Sequence, residues 1–209
     1  MRRIEREERV EVTGLRDQHG PFFGDFGGRF MPEALIAAHR SKSGRMPRKL
    51  AFSLWSVETM RHQGLLEAQA LWTLGVEPVW DGGGRVVDVK LVPREQLGRP
   101  RVDAILSATG LYRDHFPNTL KLLAKAAALA AQADEPDNPA HAHTREVRQR
   151  LLARGLSAEQ AEDAALTRIF SSASGHYGTG LDDAALDATD ADAGADAGPD
   201  ADGEADEAA

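Results

Sequence analysis

The sequence predicts an α/β fold, in which a parallel or mixed sheet is covered by helices, with a helical C-terminal half and a disordered acidic tail. Three observations lead to this prediction. Short apolar runs alternate with helical patterns up to residue 109, capped helical patterns dominate from residue 117 onward, and residues 187–209 consist mostly of Asp, Ala and Gly. Strands that alternate with helices are typical of sheets built from βαβ units.

The first strand and helix are expected just after a basic, glycine- and proline-containing linker at residues 41–48. Residues 49–55 form a short apolar run that fits a buried strand. Ser56 can then cap a helix that runs through about Leu74, and Gly75 is suited to end it. A strand followed directly by a helix is the first half of a βαβ unit.

Three further strands are predicted before the helical half. Residues 76–80 and 85–92 read as two strands joined by the turn Asp-Gly-Gly-Gly at 81–84. Residues 102–109, VDAILSAT, form the clearest buried strand, and Gly110 ends it.

Helices are expected over most of the chain from residue 117 onward. Pro117 lies near the start of a helix with an apolar face made of Leu120, Leu122, Leu123, Ala126, Ala127 and Ala130. Asn138-Pro139 is a cap followed by a first-turn proline, and Ser157–Gln160 has the pattern of a capping box. These signals predict three successive helices.

Composition and charge exclude several function classes. The net charge is −8, but residues from Asp187 to the end include nine acidic residues and no Lys or Arg, so residues 1–186 carry a net charge of +1. We therefore expect no nucleic-acid partner, and we expect the low-complexity tail to be disordered. Cysteine is absent, no apolar run is long enough to cross a bilayer, and the charged leader at residues 1–13 lacks the apolar core of a secretory signal. These features predict a cytoplasmic protein without a membrane partner.

The first candidate site is residues 107–118, which pass from a buried strand through a glycine into a helix start. Ligands in open α/β sheets bind at the carboxyl ends of strands, where helix N-termini also favour anions. Arg113 could grip a ligand carboxylate, and Asp114 could accept a proton or bind a metal. The alternative is that Asp114 is a helix-start residue with Arg113 as its surface partner.

Two other segments could carry chemistry. Asp134, Glu135 and Asp137 cluster in a helix connection, where they could hold a hard cation or form a solvated capped loop. Residues 167–183 form a Gly/Ser-rich segment with His176 and Tyr177, which could line a pocket or serve only as a loop. The histidines show no metal-ligand spacing, and neither a Walker motif nor a dinucleotide fingerprint is present.

Residues 49–186 resemble the C-terminal part of the cobaltochelatase large subunit, a family shared with the H subunit of magnesium chelatase. The resemblance is carried by LAFSLWSVETMRHQGLLEAQALWTLGVEPVWD, LVPREQLGRPRVDAILSATGLYRDHFPN, ADEPDN and TRIFSSASGHYGTGLDDAAL, in that order. It implies a subunit of an ATP-dependent enzyme that inserts Co²⁺ into hydrogenobyrinic acid a,c-diamide during cobalamin biosynthesis. It also implies AAA+-type partner subunits that hydrolyse ATP, in agreement with the missing Walker motif.

The resemblance suggests roles for several residues. Metal insertion requires removal of protons from ring nitrogens and of water from the ion, which carboxylates near a cavity can assist. We expect Asp114 and Glu135 to handle the metal or the protons, and Arg113 to bind the acidic side chains of the macrocycle. Glu58, Arg61 and Tyr177 are further substrate-binding candidates, because they lie inside the family-like strings.

The chain also departs from this family. A complete subunit is several times longer, and after Leu186 the family continues as folded chain whereas this sequence enters its acidic tail. We therefore expect a truncated or rearranged product that is not active alone. A non-catalytic interaction protein, which recruits a partner through its tail or its aromatic N-terminal segment, is the alternative from a different class.

Residues 14–38 resemble a second family, the N-terminus of the tryptophan synthase β chain. The shared pattern is FGGRF-x-PEAL, which begins at Phe26. The family's cofactor lysine and glycine-rich phosphate loop do not follow, so no pyridoxal phosphate site is expected. The sequence thus predicts a chimera: a tryptophan synthase-like segment at 14–40 joined to a chelatase-like domain at 49–186. A tryptophan synthase-derived protein is the enzymatic alternative.

Overall fold

The structure is a computed structural model that describes residues 25–173, with side chains from residue 29 onward. The described residues do not include the charged leader, the start of the tryptophan synthase-like segment, Tyr177 or the acidic tail. The strands are β1 (Lys49–Leu54), β2 (Val76–Trp80), β3 (Val86–Leu91), β4 (Asp103–Ala108) and β5 (Ile169–Ser171). The helices are α1 (Asp25–Ser43), α2 (Ser56–His62), α3 (Leu65–Leu74), α4 (Arg94–Leu97), α5 (Gly110–His115), α6 (Pro117–Gln132), α7 (Pro139–Ala153) and α8 (Ala158–Leu166).

A three-stranded parallel sheet forms the centre of the molecule, with the strand order β1-β4-β5. The register of β1 and β4 runs from Lys49 opposite Asp103 to Leu54 opposite Ala108, and β5 pairs with the second half of β4. Strands β2 and β3 form a separate antiparallel hairpin. The predicted α/β class with a parallel sheet flanked by helices is therefore confirmed.

One face of the parallel sheet packs against helices α3 and α6. Leu54 and Leu106 are fully buried there, because alternate residues of a strand point to the same face. Helix α6 presents the predicted apolar face, of which Leu123 and Ala126 are buried. Its many alanines have no long side chains, so the helix backbone can approach the sheet closely. The capping signals of Asn138 and Ser157 are also confirmed.

The structure corrects the predicted helix of residues 56–74. The chain forms two helices, because Gln63 and Gly64 both adopt left-handed backbone conformations, with φ of 57° and 80°. Ser56 is not the cap, since Trp55 occupies that position without a side-chain bond. Instead, the buried Ser56 hydroxyl lies 2.7 Å from Nδ1 of His115. A break in the helix is what allows α3 to turn its apolar residues toward the sheet.

Two other boundaries differ from the sequence-based prediction. Residues 169–171, expected within a loop, form strand β5 beside β4. Helix α1 continues to Ser43, so the first three residues of the predicted linker are helical. A three-residue strand carries too little periodicity to be recognised in sequence, and its stability depends on the neighbouring strand.

Helix α1 packs directly on the chelatase-like part of the chain. Ile36 is buried, and the Glu33 carboxylate accepts hydrogen bonds from Trp72 Nε1 at 2.8 Å and from Arg99 Nε at 2.6 Å. The Arg29 guanidinium lies 4.6 Å from the centre of the Trp72 ring, a distance that allows a cation–π interaction. The described part of the N-terminal segment therefore packs directly against the domain that follows it. No helix within residues 25–173 is long and apolar enough to span a membrane.

Candidate functional site

The carboxyl ends of the three parallel strands define the candidate functional site. Because β1, β4 and β5 run in the same direction, their last residues meet at one edge of the sheet. We call this edge, formed by residues 53–56, 107–110 and 170–172, the carboxyl edge. Helices α2 and α5 both begin here, and the Thr109 side chain caps α5 by accepting a hydrogen bond from Tyr112 N. Ligands of open α/β sheets bind at this position.

A row of side chains crosses the three strands at the carboxyl edge. Ser53 pairs in register with Ser107, which pairs with Phe170, so the three side chains stand next to one another on one sheet face. All three are exposed, and Phe170 keeps 52% of its surface. A shallow cleft of about 320 Å³ lies over this row. Trp55, 45% exposed, stands at its end and donates from Nε1 to Ser53 Oγ at 3.0 Å.

Exposed aromatic side chains, Trp55 and Phe170, stand at the two sides of this row. Two inter-strand spacings put Ser53 and Phe170 about 10 Å apart. Among the described residues, the small side chain of Ser107 stands between them, and serine and threonine hydroxyls line the cleft. Exposed aromatic residues next to hydroxyl groups suit a ligand that is apolar on its faces and polar at its periphery.

Arg113 and Asp114, the residues of the first candidate site, lie beside the carboxyl edge. Arg113 Nη1 donates to the carbonyl oxygen of Ser172 at 2.7 Å and so connects α5 to the end of β5. Its Nε donates to Asp114 Oδ1 at 3.0 Å. Asp114 lies in the last turn of α5 rather than at a helix start, and its side chain is 40% exposed. The pairing of the two residues matches the alternative of a surface partnership, and the carboxylate remains accessible.

Glu58 and Arg61 lie one turn apart on the surface of α2. They form an exposed ion pair with a distance of 2.7 Å between Arg61 Nη2 and Glu58 Oε2. Exposed pairs of this kind contribute little to stability. Tyr177, the remaining substrate-binding candidate, lies outside the described residues, as does His176.

Glu135 lies at the opposite end of β4 from Asp114. Both of its oxygens are bonded to Arg101, Oε2 to Nε at 2.9 Å and Oε1 to Nη2 at 2.7 Å. Arg101 comes just before β4, whereas Asp114 follows it. The structure therefore does not bring the two predicted carboxylates together, and one ion cannot bind both.

The acidic cluster around Glu135 faces several cations. Asp134 and Asp137 line an open cleft of about 620 Å³ together with Arg48, His141 and Arg145. His141 Nε2 lies 3.8 Å from Asp134 Oδ1. Across residues 25–173, no three His, Cys, Asp or Glu side chains converge as a metal-binding group. Of the three carboxylates, Glu135 is paired with an arginine, and basic side chains line the same cleft as Asp134 and Asp137.

Glu67, a buried carboxylate, was not among the site residues predicted from the sequence. Its side chain is fully buried, and Oε1 accepts hydrogen bonds from Thr59 Oγ1 and Tyr112 Oη, each at 2.8 Å. Burial, together with the adjacent Glu67 carboxylate, raises the pKa of Tyr112 well above its usual value, so the phenol stays protonated and remains a donor. The signal in the sequence was an acid placed within the apolar helix LLEAQALWTL.

Comparison with known proteins identifies the family of the chain. The family model described as CobN/Magnesium Chelatase matches residues 27–192, and the chain belongs to this family.

Individual relatives in this family are named chelatase subunits. The chain is 41% identical to the aerobic cobaltochelatase subunit CobN of Pseudomonas aeruginosa, over 70% of this chain and 12% of that protein. It is 38% identical to the chloroplastic magnesium-chelatase subunit ChlH of Oryza sativa subsp. japonica, over 70% of this chain and 10% of the relative. Among solved structures, the catalytic subunit of cobaltochelatase from Mycobacterium tuberculosis is similar with a TM-score of 0.66 and 38% identity, over 74% of this chain and 13% of that one. The chain thus spans about an eighth of the length of these relatives.

The family match begins at residue 27 and so includes part of the segment that resembles tryptophan synthase. None of the relatives named above is a tryptophan synthase. The contacts that Glu33 and Ile36 make with the rest of the fold also agree with the chelatase assignment. The second resemblance, and the chimera that it implied, remain predictions.

Proposed function

We propose that this chain serves as part of the large subunit of an ATP-dependent cobaltochelatase, which inserts Co²⁺ into hydrogenobyrinic acid a,c-diamide. The similarity to cobaltochelatase subunits supports the reaction class. The observation that carries the proposal is the hydroxyl-lined cleft at the carboxyl edge, with the exposed rings of Trp55 and Phe170 beside it, whose chemistry suits one face of a tetrapyrrole. Because the chain spans about an eighth of its relatives' length, it provides only one wall of such a site.

The residues near this edge have distinct roles in the proposal. Asp114 accepts a proton from a ring nitrogen as the metal enters, since its carboxylate is exposed beside the edge. Arg113, held by Ser172 and Asp114, presents its positive charge to the carboxylate groups of the corrin periphery. Glu58, Arg61 and Tyr177 contact the periphery of the macrocycle more weakly.

Glu135 is the weaker of the two carboxylates proposed to handle metal or protons. A carboxylate that acts as a base must have an oxygen available for the incoming proton, and both oxygens of Glu135 already bond Arg101. The Asp114 side chain is more exposed than that of Glu135, 40% against 23%, so we assign proton transfer to Asp114 first and expect Glu135 to act mainly through the position of Arg101.

Energy from ATP enters through partner subunits in this proposal. AAA+-type chelatase subunits bind and hydrolyse ATP, and the large subunit holds the macrocycle and the substrate metal. We expect the assembly to act in the cytoplasm.

The proposed function is tested by replacement of one segment in a complete cobaltochelatase large subunit. The segment that matches residues 27–192 is exchanged for that of this chain, and the chimera is mixed with ATPase subunits, ATP, Co²⁺ and hydrogenobyrinic acid a,c-diamide. We expect formation of the cobalt corrinoid, followed by its absorbance, and a lower rate with Asp114→Asn. Glu146→Gln is the matched control, since Glu146 pairs with Arg150 on the exposed side of α7. A chimera that assembles with its partners but inserts no cobalt would contradict the proposal.

A further inference from the structure

A stretch of basic side chains lies on the surface between helix α1 and strand β1, before the first residue of the sheet. Residues 34–57 contain no Asp or Glu, and we call residues 40–48 within them the basic segment. Its four charged side chains are exposed: Arg40, Lys42, Arg45 and Arg48. The functional site described above uses none of them.

Hydrogen bonds hold the backbone of the basic segment in one turn. Helix α1 ends here, and Gly44, with a φ of 69°, donates from its N–H to the carbonyl oxygen of Arg40 at 2.9 Å. The Ser43 hydroxyl donates to the carbonyl oxygen of His39 at 2.9 Å and accepts from Arg45 N at 3.2 Å. The C-terminus of a helix also favours positive charge. The turn therefore presents its basic side chains at the surface without using their charges.

These positive charges are not balanced within the described fold. None of the four basic side chains forms an ion pair with another described side chain, whereas Lys49, the next residue, lies 3.6 Å from Asp103. Arg48 shares an open cleft with Asp134 and Asp137. The uncompensated charge is therefore greatest at the other three basic residues of the segment.

The sequence contains one segment of matching opposite charge. Residues 187–209 carry nine acidic residues and no Lys or Arg. The basic segment lies at the amino end of the parallel sheet, whereas β5 ends with Ser171 at the carboxyl edge. The six-residue strand β1 spans about 20 Å, and the chain from residue 173 to Asp187 can extend to about 45 Å. The acidic tail is therefore long enough to reach the basic segment of the same molecule.

We propose that the basic segment is the docking surface for the acidic tail, residues 187–209, of the same chain. A single exposed ion pair contributes little, so several pairs act together. Because both segments belong to one chain, the effective concentration of the tail is high, which favours contact within the molecule over contact between molecules. The docked tail occupies the surface that another polyanion would bind and so weakens its binding. This inference does not depend on the proposed function.

The proposal is tested with a spin label on the tail of the full chain. The chain has no cysteine, so Ala197→Cys provides a single attachment point among the acidic residues. In NMR spectra of the isotope-labelled chain, the amide signals of residues 40–48 should lose most of their intensity at low salt. They should recover at about 1 M salt, because the Debye length falls to about 3 Å.

Charge-reversed variants locate the docking surface. Lys42→Glu combined with Arg45→Glu should abolish the loss of intensity. Lys121→Glu combined with Arg154→Glu is the matched control, since it changes the net charge equally at exposed positions elsewhere, and it should leave the loss unchanged. All four side chains are exposed, so both variants should fold, and circular dichroism checks this. The salt dependence of the unsubstituted segment is a second measurement that requires no change in it.

Three results would overturn the proposal. The first is full intensity of the signals of residues 40–48 at low salt. The second is an equal loss of intensity in the variant with Lys42→Glu and Arg45→Glu. The third is a loss that appears only when a spin-labelled chain is mixed with an isotope-labelled chain that carries no spin label, which would indicate docking between two copies.

Discussion

Arg101 and Glu135 form a bidentate ion pair in which the arginine is almost completely buried, with 1% of its side chain exposed. The same guanidinium donates to the carbonyl oxygens of Leu74, Gly75 and Val92. The Arg101 side chain thus donates hydrogen bonds to backbone carbonyls at the end of α3 and just after β3, and to Glu135 in the acidic loop after α6. This relationship determines what Glu135 can do, because its carboxylate neutralises a charge inside the fold.

The first prediction concerns the stability of this pair. Glu135→Ala should lower the free energy of unfolding by about 3 kcal/mol, since removal of one partner leaves the other charge buried. Glu135→Gln should cost less, because the amide oxygen still accepts one hydrogen bond. Asp114→Asn, at an exposed pair, should cost less than about 1 kcal/mol. Urea denaturation of the three variants measures these differences, and equal stability of Glu135→Ala and the wild type would contradict the assignment.

A second prediction separates backbone strain from crowding at Gly75. Gly75 and Gly98 have nearly the same φ, 70° and 68°, but a Cβ at Gly75 would lie within 2.6 Å of Leu97 Cδ2 and in contact with Arg101, whereas a Cβ at Gly98 would meet nothing within 4 Å. Gly98→Ala should therefore cost about 1 kcal/mol from the left-handed conformation alone. Gly75→Ala should cost about 3 kcal/mol in total, because overpacking is added. Comparable midpoints of thermal unfolding for the two variants would show that the close approach is absent.

The third prediction compares two helix caps. Asn138 accepts from Ala140 N and also donates through Nδ2 to the carbonyl oxygens of Ala130 and Ala133, at 2.7 and 2.8 Å. Ser157 caps α8 on the exposed surface. Ser157→Ala should cost about 1 kcal/mol, whereas Asn138→Ala should cost about 3 kcal/mol, since it also leaves buried carbonyls unpaired. If chemical denaturation shows the two costs to be equal, Asn138 does not join α6 to α7.

A fourth prediction concerns the turn between β2 and β3 at acidic pH. Hydrogen bonds from the backbone N–H groups of Arg85 and Gly83 lower the pKa of Asp81 below its ordinary value of 3.8. A lowered pKa in the folded state contributes stability above pH 3.8, and this contribution is lost as the pH falls through the folded-state value. The stability difference between the wild type and Asp81→Asn should therefore shrink as the pH falls from 3.8 through the lower folded-state value. NMR titration of the Asp81 carboxyl group checks the direction, and a midpoint above 3.8 would contradict it.

The sequence predicted most elements of the fold because their signals are local. The apolar strand at 102–109, the capping box at Ser157 and the alanine-rich face of α6 each specify structure within a few residues. The break at Gln63–Gly64 was missed, since a single internal glycine is often tolerated in a helix. Strand β5 depends on pairing with β4, and a pattern of three residues cannot reveal that pairing.

The candidate site was predicted only in part, for a related reason. The position of Arg113 and Asp114 follows from the strand–helix order, so the sequence could place them near the carboxyl edge. The ion pair of Glu135 with Arg101 joins residues 34 positions apart, and the contact of Ser56 with His115 joins residues 59 positions apart. No local periodicity in the sequence encodes such long-range contacts. These contacts determine which carboxylates already have a hydrogen-bond or ion-pair partner.

The most direct test of the central claim, that the carboxyl edge binds a tetrapyrrole, is the fluorescence of Trp55 during titration with metal-free hydrogenobyrinic acid a,c-diamide. Trp55 stands at the end of the row formed by Ser53, Ser107 and Phe170, so a bound macrocycle should quench its emission. We predict saturable quenching in the wild type and in Trp80→Phe, and its loss in Trp55→Phe. Unchanged emission of the wild type at high micromolar ligand, or equal quenching in the Trp55→Phe variant, would contradict the claim.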